Sequence, residues 1–345
     1  MTLHFFDGHN DVLGRLATTP IDDPVGAFRD GSNGHLDLPK IQQGQFAGGI
    51  FAVFCPSPTK STTPFTSGLP DTMPAPLAVE PAQAMTIKQI ALLYRLQAAG
   101  TLALCRSTAE IEAARARGVL AAVLHIEGVE AIDADLEFLE VLYAAGLRSL
   151  GPVWSRHNIF GHGVPFNFPG SPDTGPGLTE AGERLVQACN RLGILIDLSH
   201  ITEKGFWDVA RVSTAPLVAT HSNVHAICPS PRNLTAAQLR AIADSDGMVG
   251  LNFATGFLRP DGLWRADTDL DIMVRHLDAL IEAVGETRVG LGSDFDGALI
   301  PASIGSVAGL PVLFDALRAH GYDHALLERL AYKNWLSLLA RTIDR

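Results

Sequence analysis

Basic residues are few and unclustered in this 345-residue chain: 26 Lys and Arg stand against 37 Asp and Glu, a formal charge of −11. General nucleic-acid or anionic-membrane binding needs clustered cations, so neither is expected. Cysteine is scarce as well. The four residues, Cys55, Cys105, Cys189 and Cys228, form no CxxC pair, which argues against a disulfide framework and for buried free thiols in a reducing, cytoplasmic compartment. No apolar run reaches the roughly 18 residues of a membrane span. The opening MTLHFFDGHNDV lacks the basic and apolar regions of a secretory signal, and LARTIDR at the other end is too polar for a lipid-anchor tail. No GxGxxG follows the first apolar run, which weakens a nucleotide-binding open sheet. No internal repeat is visible.

What is present is a folding chain: 47% hydrophobic and 18% charged residues exclude intrinsic disorder. Eight short apolar runs read as strands: Leu3–Phe6, Gly49–Phe54, Leu120–Ile126, Ser149–Trp154, Ile194–Leu198, Leu217–Thr220, Met248–Phe253 and Val289–Leu291. Segments with helical spacing alternate with them, among them Ala82–Ala98, Ala131–Ala145, Thr179–Leu192, Thr235–Ala243 and Asp269–Val284. Thr179 and Asp269 stand at N-cap positions, and Gly100 and Gly193 at helix ends. Alternation of this kind predicts an α/β fold, a (β/α)8 TIM barrel forming a single domain over residues 1–345, with a doubly wound sheet as the alternative. Length alone would suggest two domains at roughly 150 residues each, but such barrels run to about 250 residues or more as one unit. Two long loops are expected after strands 2 and 4. Pro56–Pro81 holds seven prolines, and Gly161–Gly177 five glycines and four prolines. In a barrel, loops at the strand C-termini build the active-site face.

The chemically distinctive residues fall at the ends of the apolar runs. His9 and Asp11 follow the first, in FFDGHND, at the i, i+2 spacing that puts both side chains on one face of extended chain. Glu127 ends VLHIEG, His200 ends ILIDLSH, His221 ends LVATHSN and Asp294 lies in VGLGSDFDG. Each alone has an ordinary structural explanation. Together, three histidines and three carboxylates at one end of a barrel need a shared partner, and a divalent metal supplies it. Mixed imidazole and carboxylate donors suit Zn²⁺ better than Ca²⁺ or Mg²⁺. Five ligands exceed the three a catalytic zinc usually takes from protein, so two ions sharing one bridging carboxylate fit the count. Ions about 3.5–4 Å apart can share a hydroxide and polarise a carbonyl, which implies metal-assisted hydrolysis.

From FDGHNDVL at residue 6 to Asn334 the chain resembles the membrane (renal) dipeptidase family of amidohydrolase-like barrels. HxD, then IEG, DLSH and THSN…PRNLT occur in the family's order, as do GHLDLPKIQQGQFAGGIF and GLTEAGERLVQACNRLG. The resemblance implies a zinc dipeptidase that uses a hydroxide between its two ions and accepts a D-residue at the C-terminal position. It implies that His9 and Asp11 hold one zinc, that His200 and His221 hold the other, and that Glu127 bridges both. It implies further that Arg232 meets the substrate carboxylate and Asp294 moves the proton, in a protein that forms a homodimer. One departure stands out. Where the family carries LTH, this chain reads GPVWSRHN, with Trp154 in the histidine's place by spacing and His157 three residues on; both are substrate-binding candidates. That change keeps lactonase or deaminase activity on the same barrel as an alternative. A non-catalytic metal-containing binding module is a further one. His125, two residues before Glu127, is placed to touch a ligand, and Asp197 and Asp296 to orient one.

Overall fold

The computed structural model describes residues 3–57 and 73–344. Among the described residues, nine strands run in chain order: β1 Phe5–Asn10, β2 Phe46–Phe54, β3 Leu102–Leu104, β4 Leu120–Glu127, β5 Leu147–Gly151, β6 Leu195–Ile196, β7 Val218–Ala219, β8 Met248–Leu251 and β9 Val289–Leu291. All pairings between them are parallel, in the order β6-β5-β4-β2-β1-β9-β8-β7. The two edge strands meet where Asp197 bridges Val218 and the Leu198 N–H donates to the Val218 carbonyl at 2.8 Å. Eight strands thus form the expected barrel. β3 is an addition: it pairs with β4 from Leu102↔Leu120 to Leu104↔Ala122, just before β5 joins the same strand at Leu124↔Leu147.

Strand limits differ from the apolar pattern where polar side chains finish a strand. β1 extends to Asn10 rather than stopping at Phe6, and every residue from Phe5 to Asn10 is buried. β5 is displaced toward the N-terminus because Pro152, which lacks an N–H, ends the ladder. The segment expected to be helical from Ala131 begins its helix only at Glu137. Before it, the Asp133 carboxylate accepts from the N–H groups of Asp135, Glu137 and Phe138, an alternative to helical pairing. Thr179 caps its helix through the Gly182 N–H, whereas Asp269 makes no side-chain cap. The proline-rich loop ends earlier than Pro81. A helix starts at Val79, and Pro81 sits in its first turn, where a missing N–H breaks no bond. Residues 58–72 of that loop lie outside the described residues.

One hydrophobic cluster runs from Phe5 to Ile343. Its C-terminal contribution is Trp335, fully buried, with its indole Nε1 donating to the Leu291 carbonyl at 2.8 Å. The indole fits because Gly8 and Gly290 lack side chains: a Cβ would lie 2.2 Å and 2.6 Å from its ring atoms. Burying a large aromatic there contributes on the order of 2 kcal/mol or more. It fixes β1 and β9, the strands that carry His9 and lead to Asp294.

Candidate metal centre

The ends of five strands place six polar side chains together. His9 is the next-to-last residue of β1 and Asp11 follows that strand; Glu127 is the last residue of β4; His200 and His221 follow β6 and β7; Asp294 follows β9. Glu127 Oε1 is the focus. His200 Nε2 lies 3.0 Å from it, His221 Nε2 3.3 Å and His9 Nε2 3.6 Å. His9 Nε2 is 3.5 Å from Asp11 Oδ2, as the i, i+2 spacing predicts, and the His200 and His221 Nε2 atoms face each other at 3.2 Å. Three sets of ligand atoms fall within 4.8 Å of one another: His9, Asp11 and Asp294; Glu127, His200 and His221; and His9, Asp197 and His221. Neither nitrogen of buried His9 has a hydrogen-bond partner among the described residues. Imidazole nitrogens converging on one another and on a carboxylate form a donor set that divalent cations would fill.

The neighbours aim these nitrogens inward. The Thr220 hydroxyl donates to Asp197 Oδ2 at 2.6 Å, so its lone pair accepts from His221 Nδ1 at 2.8 Å and Nε2 remains free as a donor of electrons. Asp197 also accepts from the Thr220 N–H and from Ser199. Ser155 Oγ holds His200 Nδ1 at 2.9 Å, and Ser149 Oγ holds His125 Nδ1 at 2.8 Å. Asp197 thus reaches a cluster histidine through one hydroxyl. Asp296 does not orient a ligand in this way. Its carboxylate binds Arg15 at 2.9 Å and accepts from the His35 N–H. Asp294 sits in left-handed backbone with φ 60°, a strained conformation for a non-glycine. Asn252 donates to its Oδ2 at 3.1 Å. Gly297 permits this approach, since a Cβ there would lie 2.1 Å from Asp11 Oδ2 and 2.6 Å from Asp294 Oδ1.

As a set of protons alone, the cluster is in conflict. Burial drives the Glu127 carboxyl well above its ordinary range, against the pull of His9. It drives His200 and His221 well below theirs. Burial also opposes charge on His9, yet Glu127 and Asp11 outweigh it and lift the imidazole to about 10. Asp294 rises to about 6, through burial first and the nearby Asp11 charge second. Each shift reports charged or lone-pair groups crowded away from water, the condition a bound cation relieves.

Arg232 is buried. Its Nη2 donates to the His221 carbonyl at 3.2 Å and its guanidinium lies 5.2 Å from the Phe257 ring centre, while Nε has no partner among the described residues. Burial pulls it down to about 10, which leaves it cationic at neutral pH. No carboxylate forms an ion pair with it among the described residues. Trp154 packs 5.9 Å from the His200 ring, centre to centre. His157 instead packs against His162 at 4.5 Å, and His162 Nδ1 meets the Gly177 carbonyl.

Sequence reading passed over Asn252, Ser155, Thr220 and the buried pair Glu130–Arg156. For Asn252 a signal existed: a polar residue inside the apolar run Met248–Phe253, directly after the last residue of β8. Arg156 offered none, because buried arginine and surface arginine look alike in a sequence.

Comparison with known proteins places these features in context. The family model described as membrane dipeptidase (peptidase family M19) matches residues 1–343. A metallo peptidase from Rhodobacter sphaeroides, solved with a phosphinate mimic of the dipeptide L-Ala-D-Ala, is 52% identical over 99% of this chain and 100% of its own, with a TM-score of 0.96. A metallo peptidase of family M19, dipeptidase AC, is also 52% identical, covers 100% of both chains and gives a TM-score of 0.94. An uncharacterized protein in the pqqA 5′ region of Klebsiella pneumoniae is 55% identical over 73% of this chain and 94% of its own length.

Proposed function

This chain belongs to the membrane dipeptidase family, peptidase family M19, and is a metallo-dipeptidase acting on peptide bonds; from that premise we propose how its residues divide the work. Two zinc ions fit the donor set: His9 and Asp11 would hold one, His200 and His221 the other, and Glu127 would bridge them. The observation that carries this is Glu127 Oε1, within 3.6 Å of three imidazole nitrogens on three different strands. Bound there, such ions supply Lewis-acid polarisation of the scissile carbonyl and lower the pKa of water.

The chain's own residues do the rest. Arg232, buried and lacking a carboxylate partner among the described residues, receives the dipeptide's terminal carboxylate through the fork of its guanidinium. Asp294 Oδ1 faces Asp11 across the space above Gly297, while Oδ2 is held by Asn252. It is positioned to accept a proton from the attacking water and return it to the leaving amine. A clamp one residue from the scissile bond limits the substrate to dipeptides. The L-Ala-D-Ala mimic bound by the Rhodobacter relative supports a D-residue at the C-terminal position. Four free, buried cysteines are compatible with a reducing cytoplasmic compartment. We read residues 1–345 as one domain and the assembly as a homodimer. No helix among the described residues is long and apolar enough to cross a membrane.

Elemental analysis tests the metal assignment. Purified protein should carry about two zinc ions per chain, and Glu127→Gln should lose both, since a bridging ligand serves each. Retention of both ions by Glu127→Gln would refute the bridge. Chelation should abolish hydrolysis of L-Ala-D-Ala, and zinc should restore it.

A further inference from the structure

A row of aromatic rings crosses the site. It begins at Arg232, whose guanidinium lies over Phe257; Phe257 stacks on Phe166 at 5.9 Å and 16°; Phe166 meets Trp154 edge-on at 5.4 Å; Trp154 packs on Phe54 at 4.8 Å. The His200 ring touches the middle of this row, 6.1 Å from Phe166 and 5.9 Å from Trp154. With the substrate carboxylate at Arg232 and the scissile carbonyl near His200, the C-terminal residue lies along Phe257 and Phe166. The N-terminal residue then lies beyond His200, against Trp154 and Phe54.

Trp154 is held from behind. Arg156, fully buried, stacks its guanidinium 5.2 Å from the indole and 5.9 Å from the Phe54 ring. Its charge is answered by Glu130 at 3.0 Å, and it donates to the Cys55 carbonyl at 3.0 Å and to Ser57 Oγ at 2.8 Å. A cation so enclosed and already paired has no capacity to recruit an acidic substrate side chain. What faces the substrate at this end of the row is ring surface.

Resting on the dipeptidase reading, we infer that Trp154, with Phe54, is the specificity-determining wall for the side chain of the dipeptide's N-terminal residue, taking aliphatic or aromatic groups and disfavouring acidic ones. An apolar group against a desolvated ring wall is discriminated by about tenfold or more from its truncated counterpart. The test measures kcat/KM of zinc-loaded enzyme on L-Leu-D-Ala, L-Phe-D-Ala, Gly-D-Ala and L-Glu-D-Ala, with a second series, L-Ala-D-X, varying the other residue. Wild type should favour Leu and Phe over Gly and Glu by at least about tenfold. Trp154→Ala should collapse the Leu-to-Gly ratio toward one, mainly through KM, and Trp154→Phe should keep most of it. Calorimetric titration with phosphinate mimics bearing Leu or Gly at the N-terminal position should show the same order without turnover. A wild-type preference for Glu overturns the inference. So does an unchanged Leu-to-Gly ratio in Trp154→Ala, or an effect of that variant confined to the L-Ala-D-X series. Those results would leave the dipeptidase reading intact, whereas zinc-loaded wild type inert on every dipeptide would overturn that reading and this inference together.

Discussion

Arg232 and Asp294 lie close to the same cluster, yet their surroundings separate their roles. Arg232 is anchored by backbone and ring contacts and keeps an Nε without a partner among the described residues, which suits the proposed role of holding the substrate carboxylate. Asp294 is held at one oxygen by Asn252, on strained backbone, with burial raising its proton affinity, so it suits exchange of a proton. Arg232→Ala should therefore raise KM for L-Ala-D-Ala by at least about tenfold with a smaller change in kcat. Asp294→Ala should lower kcat by about a hundredfold to ten-thousandfold. Both variants should retain their zinc, as measured by elemental analysis. Equal loss of metal in the two would contradict this division. Thr220 makes a finer case. Thr220→Val keeps the shape but removes the hydroxyl that fixes the His221 tautomer, and zinc affinity should fall about 10–100-fold by competition with a chelator.

At the scale of elements, three strand ends are tied by one buried side chain. Arg156, beyond β5, donates to the backbone after β2 and pairs with Glu130 beyond β4. Removing only the cation strands a buried carboxylate, so Arg156→Met should cost about 3–5 kcal/mol in denaturant unfolding. Glu130→Leu combined with Arg156→Met should cost less than Arg156→Met alone, because no uncompensated charge remains. A larger loss in the double variant would show that the pair acts through packing rather than charge. The same elements show what could be read in advance. Apolar runs and their chemical endings put His9, Asp11, Glu127, His200 and His221 at the ends of four strands, β1, β4, β6 and β7, because a buried parallel strand is an apolar run. β3 is not legible in the sequence, since three residues, two of them only partly buried, carry little periodicity. β1 was cut short because its second half is polar yet buried, which alternation cannot signal. Trp154 was legible as a departure from the LTH pattern. The row of rings in which it stands was not, because Phe54, Phe166 and Phe257 are distant along the chain and meet only through closure of the barrel.

Across the whole molecule, one neutral imidazole is among the groups that tie the wall bearing Arg232. His276, on the helix Leu270–Val284, accepts from the Val224 N–H at Nδ1, 3.2 Å, and its Nε2 meets the Leu258 carbonyl at 2.9 Å. It thus joins the segment after β7 to the segment after β8, at the residue next to Phe257, whose ring lies against Arg232. Protonation would turn Nδ1 from acceptor into donor against an N–H. Burial lowers His276 to about 4, with the neighbouring Arg275 charge acting the same way and the Leu258 carbonyl opposing. In the unfolded chain the group titrates near its ordinary value of about 6.5. The unfolded state therefore binds a proton that the folded state refuses once pH falls below about 6.5. The stability His276 confers is complete above that pH and is lost progressively toward pH 4, up to about 3 kcal/mol. His276→Gln, which can offer an acceptor and a donor without titrating, should start less stable at pH 8 but decline less between pH 6.5 and 4.5. Protonation of the cluster histidines His9, His200 and His221 acts in both proteins, so the difference between their melting temperatures, followed across pH, isolates His276. Parallel curves would mean that the wall is held by other contacts.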